Sequence, residues 1–275
     1  MLVRLWGTRG SLASPGPDTV RYGGNTACVE VRTDEALLVL DAGTGIRPLG
    51  VSLWGHRGRI DLLLTHLHLD HLQGVGFFEP AFGPDAEVHI WGPPSTTQDL
   101  RERLSRYLSP PLFPVRLRDL GPNVTLHDVP HRPFRIGDVT VRAEAIIHPG
   151  TTIGYRIENG ETSVAYLPDH EPALGAPRFP IAPEWTSGHA LAEGVDLLIH
   201  DTQYTPDEYP NRVGWGHSSS EHTWAFARQA RVRRLVPFHH DPSHSDELLD
   251  AIVEELASRD GLEVLAGTEG LELEL

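Results

Sequence analysis

Six short apolar runs, each ending in histidine or aspartate, constrain the fold of this 275-residue chain more than any other feature. Continuous runs of Val, Ile and Leu are typical of strands that are covered on both faces. Clusters of Gly, Pro and Asp separate the runs, as expected of turns. The runs end at Asp41, His66, His148, Asp169, the pair His200 and Asp201, and the pair His239 and His240. The pattern predicts an α/β fold whose site lies at the carboxyl ends of its strands.

Three segments carry the signals of helices, and one carries those of a loop. The helical segments are 97–108, 218–230 and 245–259. The last two begin with serines ahead of acidic residues, which is typical of helix starts. The stretch 170–194 is too rich in Pro and Gly for a long element, so we predict a surface loop there, with a lid as one interpretation. No repeat or linker divides the sequence, and a single domain spanning 1–275 is expected.

The charge balance limits the partners of the chain. It has 38 acidic residues against 23 arginines and no lysine, which gives a net charge of −15. This charge repels polyanions, so nucleic acid is not expected as a bulk partner and a small substrate is favoured. No apolar run is long enough to span a membrane and the first residues lack an export signal, so we expect no membrane partner and a cytoplasmic location.

The segment from Thr65 to His71 reads THLHLDH and carries the strongest chemical signal. Alternate residues of extended backbone point to the same side, so His66, His68 and Asp70 can project together, and a turn at Asp70 then brings His71 back. Imidazole nitrogens and carboxylate oxygens suit zinc, and also manganese or iron. A His-rich surface loop is the alternative. It is disfavoured because apolar residues alternate with the polar ones, and burying an unpaired His or Asp is costly.

This motif resembles the HxHxDH signature of the metallo-β-lactamase-fold hydrolases, in which His, Asp and His follow at long spacing. The resemblance implies a four-layer αββα sandwich and two divalent ions, with zinc expected. It implies one ion held by His66, His68 and His148, a second held by Asp70, His71 and His239, and Asp169 bridging both. The end of the last apolar run does not itself separate His239 from His240, and the resemblance favours His239.

Three further segments resemble the RNase Z and phosphodiesterase branch of that family. They are IIHPGTTIGYRIE around His148, LIHDTQYT around Asp201, and GHSSSEHTWAFA from Gly216. In that branch a histidine donates a proton and an acidic residue holds it, which implies His217 as the donor and Asp201 as its partner. Asp201 stands where the family usually has Glu. The resemblance also puts Asp70 among the catalytic residues.

The resulting hypothesis is a two-metal hydrolase in which a hydroxide shared by both ions attacks a phosphodiester in line. A small phosphodiester such as a cyclic nucleotide is the expected substrate. One alternative is a lactone or thioester hydrolase, because relatives use the same core on such bonds. The other is a non-catalytic metal-binding module, which would keep the ligands without the donor pair. Relatives often form dimers, so the resemblance is compatible with a homodimer.

Three other features have both a functional and a structural interpretation. Asp41 is a candidate to hold a ligating imidazole in its tautomer, although a simple turn aspartate is the alternative. The Gly-rich segment 7–11, GTRGS, predicts backbone that passes close to a substrate phosphate or makes a tight turn. His170 and His200 each adjoin a proposed functional residue. Neighbours in a strand point to opposite sides, so both are expected to pack or support rather than to ligate.

Overall fold

Two β-sheets organise the protein, whose computed structural model describes residues 1–176 and 178–275. In these residues the first sheet contains β1 (Leu2–Gly7), β2 (Cys28–Arg32), β3 (Leu37–Leu40), β4 (Gly58–Leu63), β5 (Ala86–Gly92), β6 (Val124–Asp128) and β14 (Glu272–Glu274). The second contains β7 (Phe134–Ile136), β8 (Val139–Ala145), β9 (Ile153–Asn159), β10 (Thr162–Leu167), β11 (Leu197–Asp201), β12 (Arg234–Phe238) and β13 (Glu263–Val264). The strand orders are β14-β1-β2-β3-β4-β5-β6 and β13-β12-β11-β10-β9-β8-β7.

Each sheet has an antiparallel part and a parallel part. Strands β3 to β6 are parallel in the first sheet, and strands β10 to β13 are parallel in the second. The carboxyl ends of parallel strands share one edge of a sheet. All six apolar runs of the sequence form strands, and the His or Asp that follows each run lies at the strand end or up to three residues beyond it.

The main core lies between the sheets. Val29, Leu38 and Leu40 of the first sheet share a buried cluster with Tyr155 and Ile199 of the second. Removing apolar side chains of this size from water contributes about 1.5–3 kcal/mol each. This contact makes the two sheets the inner layers of the fold.

Helices cover the outer faces of the two sheets. In the described residues they are α1 (Ile46–Ser52), α2 (Leu69–Leu72), α3 (Leu100–Ser105), α4 (His189–Ala192), α5 (Ser220–Gln229) and α6 (Asp246–Ala257). Ile46 and Leu49 of α1 pack in the outer core of the first sheet, and Phe226 of α5 packs in that of the second. The arrangement is the expected four-layer αββα sandwich.

The helix predictions hold in position and differ in length. Side chains of Ser219 and Ser245 cap α5 and α6 by accepting hydrogen bonds from the backbone, as their serine starts predicted. The segment 97–108 forms only α3, because Asp99 provides its cap. The sequence analysis did not predict helix α1. Its sequence contains Pro48, and proline usually indicates a break in a helix. Pro48 lies in the first turn of α1, where proline is tolerated. No helix in residues 1–176 and 178–275 has the length and apolar character to cross a membrane.

Candidate active site

The residues that end the apolar runs meet at one edge of the sandwich. Strand β4 leads into the THLHLDH segment, whose backbone stays extended through His68 and then forms the single turn of α2. The turn begins at Leu69, one residue earlier than the sequence predicted, and it carries Asp70 and His71 back toward His66. The second sheet contributes His148, Asp169 and His239 from the ends of three strands to the same place.

Two groups of donor atoms form there. The first consists of His66, His68 and His148, and the second of Asp70, His71, Asp169 and His239; within each group the ligand atoms lie within 4.8 Å of one another. In the first group, Nε2 of His148 is 3.2 Å from Nδ1 of His68. In the second, Nε2 of His239 is 3.2 Å from Oδ2 of Asp70. The structure therefore brings together every residue that the sequence proposed as a metal ligand.

Asp169 lies between the two groups and presents one oxygen to each. Its Oδ2 is 3.7 Å from Nε2 of His66 and 3.6 Å from Nε2 of His148. Its Oδ1 is 2.9 Å from Nε2 of His71 and 3.3 Å from Nε2 of His239. A carboxylate in this position can interact with two adjacent cations at once.

Supporting contacts fix how the histidines face the centre. Nδ1 of His71 contacts Oδ2 of Asp41 at 2.8 Å, and Nδ1 of His148 contacts the carbonyl oxygen of Gly216 at 2.9 Å. Nδ1 of His239 contacts Oε1 of Gln203 at 3.2 Å. Each contact leaves Nε2 free to face the donor group. Ligating histidines need this kind of support, because it fixes the tautomer and the ring orientation.

Asp41 has the supporting role that was one of its two interpretations. It is fully buried, and its carboxylate also accepts hydrogen bonds from the backbone N–H of Thr65 and from the hydroxyl of Tyr166. Its backbone has a φ of 60°, in the left-handed region that few residues other than glycine adopt. The buried contacts of its carboxylate stabilise a residue in this strained conformation.

The donor set fits divalent cations. Nε2 of His66 is buried, yet it makes no hydrogen bond within the described residues. Burial lowers the pKa of His66 well below its usual value, so this imidazole is neutral and available as a ligand. None of the buried carboxylates of Asp41, Asp70 and Asp169 forms an ion pair with a described arginine. Their excess negative charge is what bound cations would neutralise.

Beside this cluster, His217 forms a pair with Asp201. Nδ1 of His217 is 2.7 Å from Oδ2 of Asp201, so the shorter aspartate does reach the histidine. Burial disfavours the charged imidazole, but Asp201, together with Asp169 and Asp70, outweighs this effect and raises the pKa of His217 to about 9. The ring stacks on His239 with centroids 4.9 Å apart. With Nδ1 held by Asp201, Nε2 is the atom that can donate a proton.

Glu171 holds the loop in front of the site, and nothing in the sequence indicated this role. Its buried carboxylate accepts hydrogen bonds from the hydroxyl of Tyr209 and from the backbone N–H groups of Gly214 and Gly216. The carbonyl of Gly216 in turn contacts His148. Glu171 lies in the stretch 170–194, so the expectation of a surface loop is wrong at this buried residue, and the short helix α4 also forms within the stretch. A lid stays a prediction, and Pro177 of that stretch lies outside the described residues.

The Gly-rich segment 7–11 packs against the metal-ligand candidates. A side chain at Gly10 would come within 2.4 Å of the ring of His239. The next residue, Ser11, donates its backbone N–H to Oδ2 of Asp70 at 2.7 Å. The close approach that the glycines indicated is thus an approach to His239 and Asp70.

The neighbouring histidines lie outside the donor groups. Nε2 of His240 contacts the carbonyl oxygen of Gly267 at 2.9 Å, whereas His239 faces Asp70 and Asp169. His170 and His200 contact each other, with Nδ1 of His170 3.0 Å from Nε2 of His200. Both pack against other buried groups, as the alternation of strand residues predicted.

Comparison with known proteins agrees with this architecture. Residues 37–240 match the family model of the beta-lactamase superfamily domain. Ribonuclease Z of Gemmatimonas aurantiaca is 26% identical over 98% of each chain, and Ribonuclease Z of Mycobacterium bovis is 30% identical over 88% of this chain and 86% of its own. The crystal structure of YhfI, a metallo-beta-lactamase fold protein from Bacillus subtilis, superposes with a TM-score of 0.71 at 18% identity over 99% of both chains. These findings confirm the expected fold and family resemblance, and the name Ribonuclease Z is at odds with the expectation that nucleic acid is no partner.

Proposed function

This chain belongs to the beta-lactamase superfamily, and from that premise we propose that it is a two-metal hydrolase that cleaves a phosphodiester bond. The observation that carries the proposal is the position of Asp169. Its two oxygens face two separate groups of donors, so the chain offers adjacent places for two cations. Zinc is the proposed metal, because imidazole nitrogens outnumber the carboxylates and no thiolate is present among the donors.

Each part of the site has a role in the proposed reaction. When bound, two divalent ions supply Lewis-acid stabilisation of the phosphate oxygens and make water acidic enough to be a nucleophile at neutral pH. His217 donates a proton from Nε2 to the leaving oxygen, and Asp201 keeps its ring oriented and charged for that step.

The His217 and Asp201 pair favours an ester with an alkoxide leaving group over a thioester. An alkoxide is a strong base and benefits from a proton donor, whereas a thiolate leaves without one. A lactone also releases an alkoxide, so the assays below compare it directly with a phosphodiester. The pair also disfavours a module that only binds metal. A small phosphodiester is the proposed substrate class, in line with the net charge of −15. RNA is the second candidate, supported by the name of the relatives.

Assays on three substrate classes test the proposal. Metal-reconstituted protein is given bis(p-nitrophenyl) phosphate, a set of lactones and an RNA with a 3′ extension. We expect cleavage of bis(p-nitrophenyl) phosphate and the same metal content in wild type and His217→Gln. Because p-nitrophenolate leaves without a proton, the expected fall in kcat of His217→Gln, about 10²–10⁴-fold, is measured on a phosphodiester with an alkoxide leaving group, such as a cyclic nucleotide. Lactone turnover without phosphodiester cleavage would overturn it. His56→Gln is the matched control, because His56 lies before β4, at the end of that strand opposite the site.

The remaining expectations extend this proposal. We propose that residues 1–275 act as a single hydrolase domain, since β1, β2 and β14 complete the first sheet from outside the matched residues 37–240. A homodimer and a cytoplasmic location stay predictions. The oligomeric state can be measured directly by light scattering of the metal-loaded protein.

A further inference from the structure

A cavity adjoins the first donor group. It has a volume of about 220 Å³, and His66, Leu67 and His68 form part of its lining. Its other lining residues are Pro93, Ser95, Arg103, Pro149, Gly150 and Thr151. Pockets that enclose a whole drug-sized ligand usually measure about 300–1,000 Å³, so this one suits part of a substrate. Its position next to the donor group places that part beside the reacting phosphate.

Arg103 gives the cavity its only fixed positive charge among the described lining residues. It lies on α3, and its side chain is 12% exposed. Nε donates to the carbonyl oxygen of Asp99 and Nη2 to Oδ1 of Asp128, both at 3.3 Å, while Nη1 makes no hydrogen bond within the described residues. Burial lowers the pKa of Arg103, yet a guanidinium stays charged at any physiological pH.

The existing partner of Arg103 holds it only weakly. The side chain of Asp128 is 52% exposed, and exposed ion pairs contribute about 0–1 kcal/mol. A phosphate group accepts two parallel hydrogen bonds from one guanidinium, which is a stronger arrangement. Arg103 can therefore bind a phosphate without losing a strong contact. The hydroxyl groups of Ser95 and Thr151 line the same cavity and offer further donors.

We propose that this cavity is a subsite for a second phosphate group of the substrate, bound by Arg103. The inference rests on the proposed function, because the first phosphate is the one held at the two donor groups. It narrows the substrate class to phosphodiesters that carry another phosphate close to the scissile one. In a chain of net charge −15, a local arginine provides the attraction that the rest of the surface does not.

Equilibrium binding tests the subsite without requiring turnover. Metal-loaded protein is titrated by calorimetry with three probes: propyl phosphate, propane-1,3-bisphosphate and 3-phosphonopropionate. We expect the bisphosphate to bind about 10–100-fold more tightly than propyl phosphate, as one charged hydrogen-bond partner allows. Arg103→Met should remove this advantage and leave the affinity for propyl phosphate within about 2-fold. A bisphosphate advantage that persists in Arg103→Met would overturn the proposal, as would equal loss for both probes.

Two further variants exclude a general effect on folding. Arg101→Met is the matched control, because Arg101 lies on the same helix but lines a different cavity. Asp128→Asn removes the competing carboxylate and should tighten bisphosphate binding about 2–5-fold, a gain that a damaged fold cannot produce. Weaker or unchanged binding in Asp128→Asn would contradict the proposal. If 3-phosphonopropionate and the bisphosphate bind with equal affinity, the subsite accepts a carboxylate as well as a phosphate. This result would likewise overturn the proposal of a phosphate subsite.

Failure of this inference and failure of the proposed function give different results. Cleavage of bis(p-nitrophenyl) phosphate, which has one phosphate, tests the function alone, and the control Arg101→Met should cleave it at nearly the wild-type rate. If wild-type protein cleaves it but Arg103→Met keeps the bisphosphate advantage, only the subsite is wrong. If no phosphodiester is cleaved but Arg103→Met no longer binds the bisphosphate more tightly than propyl phosphate, the subsite is supported and the proposed hydrolysis is wrong.

Discussion

Two groups of histidines in this protein lie close together and differ in their surroundings. The histidines at the donor groups face the carboxylates of Asp70 and Asp169. Neither ring of the pair His170 and His200 hydrogen-bonds a carboxylate of the described residues: the two rings contact each other and Phe226, and Nδ1 of His200 donates to the backbone carbonyl of Asp201. Both groups contain buried rings, so the carboxylates are what distinguish the candidate site.

The same contrast is visible in the protonation of single histidines. Burial lowers the pKa of His200 to about 4. His217 is almost as buried, but the carboxylate of Asp201 raises its pKa to about 9. Asp201 is near both rings, but only His217 hydrogen-bonds its carboxylate, and Asp169 and Asp70 raise the pKa of His217 further. A buried histidine can thus be a neutral packing group or a charged proton donor, depending on the carboxylates around its ring.

Removal of the shared carboxylate should have the largest effect on this contrast. Asp169→Asn keeps the shape of the side chain and removes its charge, so both donor groups lose a ligand. We expect loss of bound metal and a fall in phosphodiester turnover of more than about 1,000-fold, beyond the 10–100-fold typical of supporting residues. Metal content by mass spectrometry and kcat measure the two effects. Asp196→Asn, at the opposite end of β11, should change neither, and normal metal binding in Asp169→Asn would contradict the bridging role.

Asp201→Asn should separate proton donation from metal binding. The amide cannot stabilise charge on His217, so kcat should fall by about 100-fold while the metal content stays at the wild-type level. The double variant with His217→Gln should be no slower than His217→Gln alone, because both changes remove the same function. Additive losses in kcat would show that Asp201 acts through another residue.

Asp41→Asn should weaken the support of one ligand without removing it. The carboxylate holds Nδ1 of His71, and loss of such a partner typically costs about 10–100-fold in metal affinity. Competition with a chromogenic chelator measures the dissociation constant of each ion. We expect the second donor group, which contains His71, to lose affinity and the first to change by less than about 3-fold. Equal weakening of both groups would assign Asp41 a general structural role.

His200→Gln should have the smallest effect, and only at acid pH. The folded pKa of His200 is about 4 and the unfolded value is about 6.5, so the unfolded chain binds the extra proton first and stability falls as the pH drops through this window. Between these pH values the free energy of unfolding of wild type should fall with each pH unit by up to about 1.4 kcal/mol more than that of the variant. Urea unfolding at pH 7, 6 and 5 measures the difference. Since His170 contacts His200 and its pKa is also lowered, His170→Gln should have an effect of the same sign.

The sequence predicts much of the site because its strongest signals are local. The THLHLDH spacing is set within seven residues, and the other ligands follow apolar runs that had to become strands. The contacts of Glu171 and Gln203 were not predictable, because each depends on residues 36 or more positions away. The choice between His239 and His240 depends on a φ of 60° at His239, which no local propensity favours for histidine.

The fold was predictable for a similar reason, and its gaps have physical causes. Continuous apolar runs predict strands whichever strands they pair with. Helix α1 contains a proline, so its sequence does not indicate a helix. The cavity at Arg103 depends on how α3 packs beside the turn that follows β5 and the loop that follows His148. The spacing of residues along the sequence does not predict how such distant segments pack.

The carboxylate of Glu171 divides the 204–216 loop into a fixed part and a free part. Its anchored backbone at Gly214 and Gly216 contacts the candidate ligand His148 through the carbonyl of Gly216. The side chains of Val213 and Trp215, which lie beside these anchors, are exposed and make none of these contacts. Substitutions at these two positions can therefore change the outer surface of the loop while the candidate site keeps its shape.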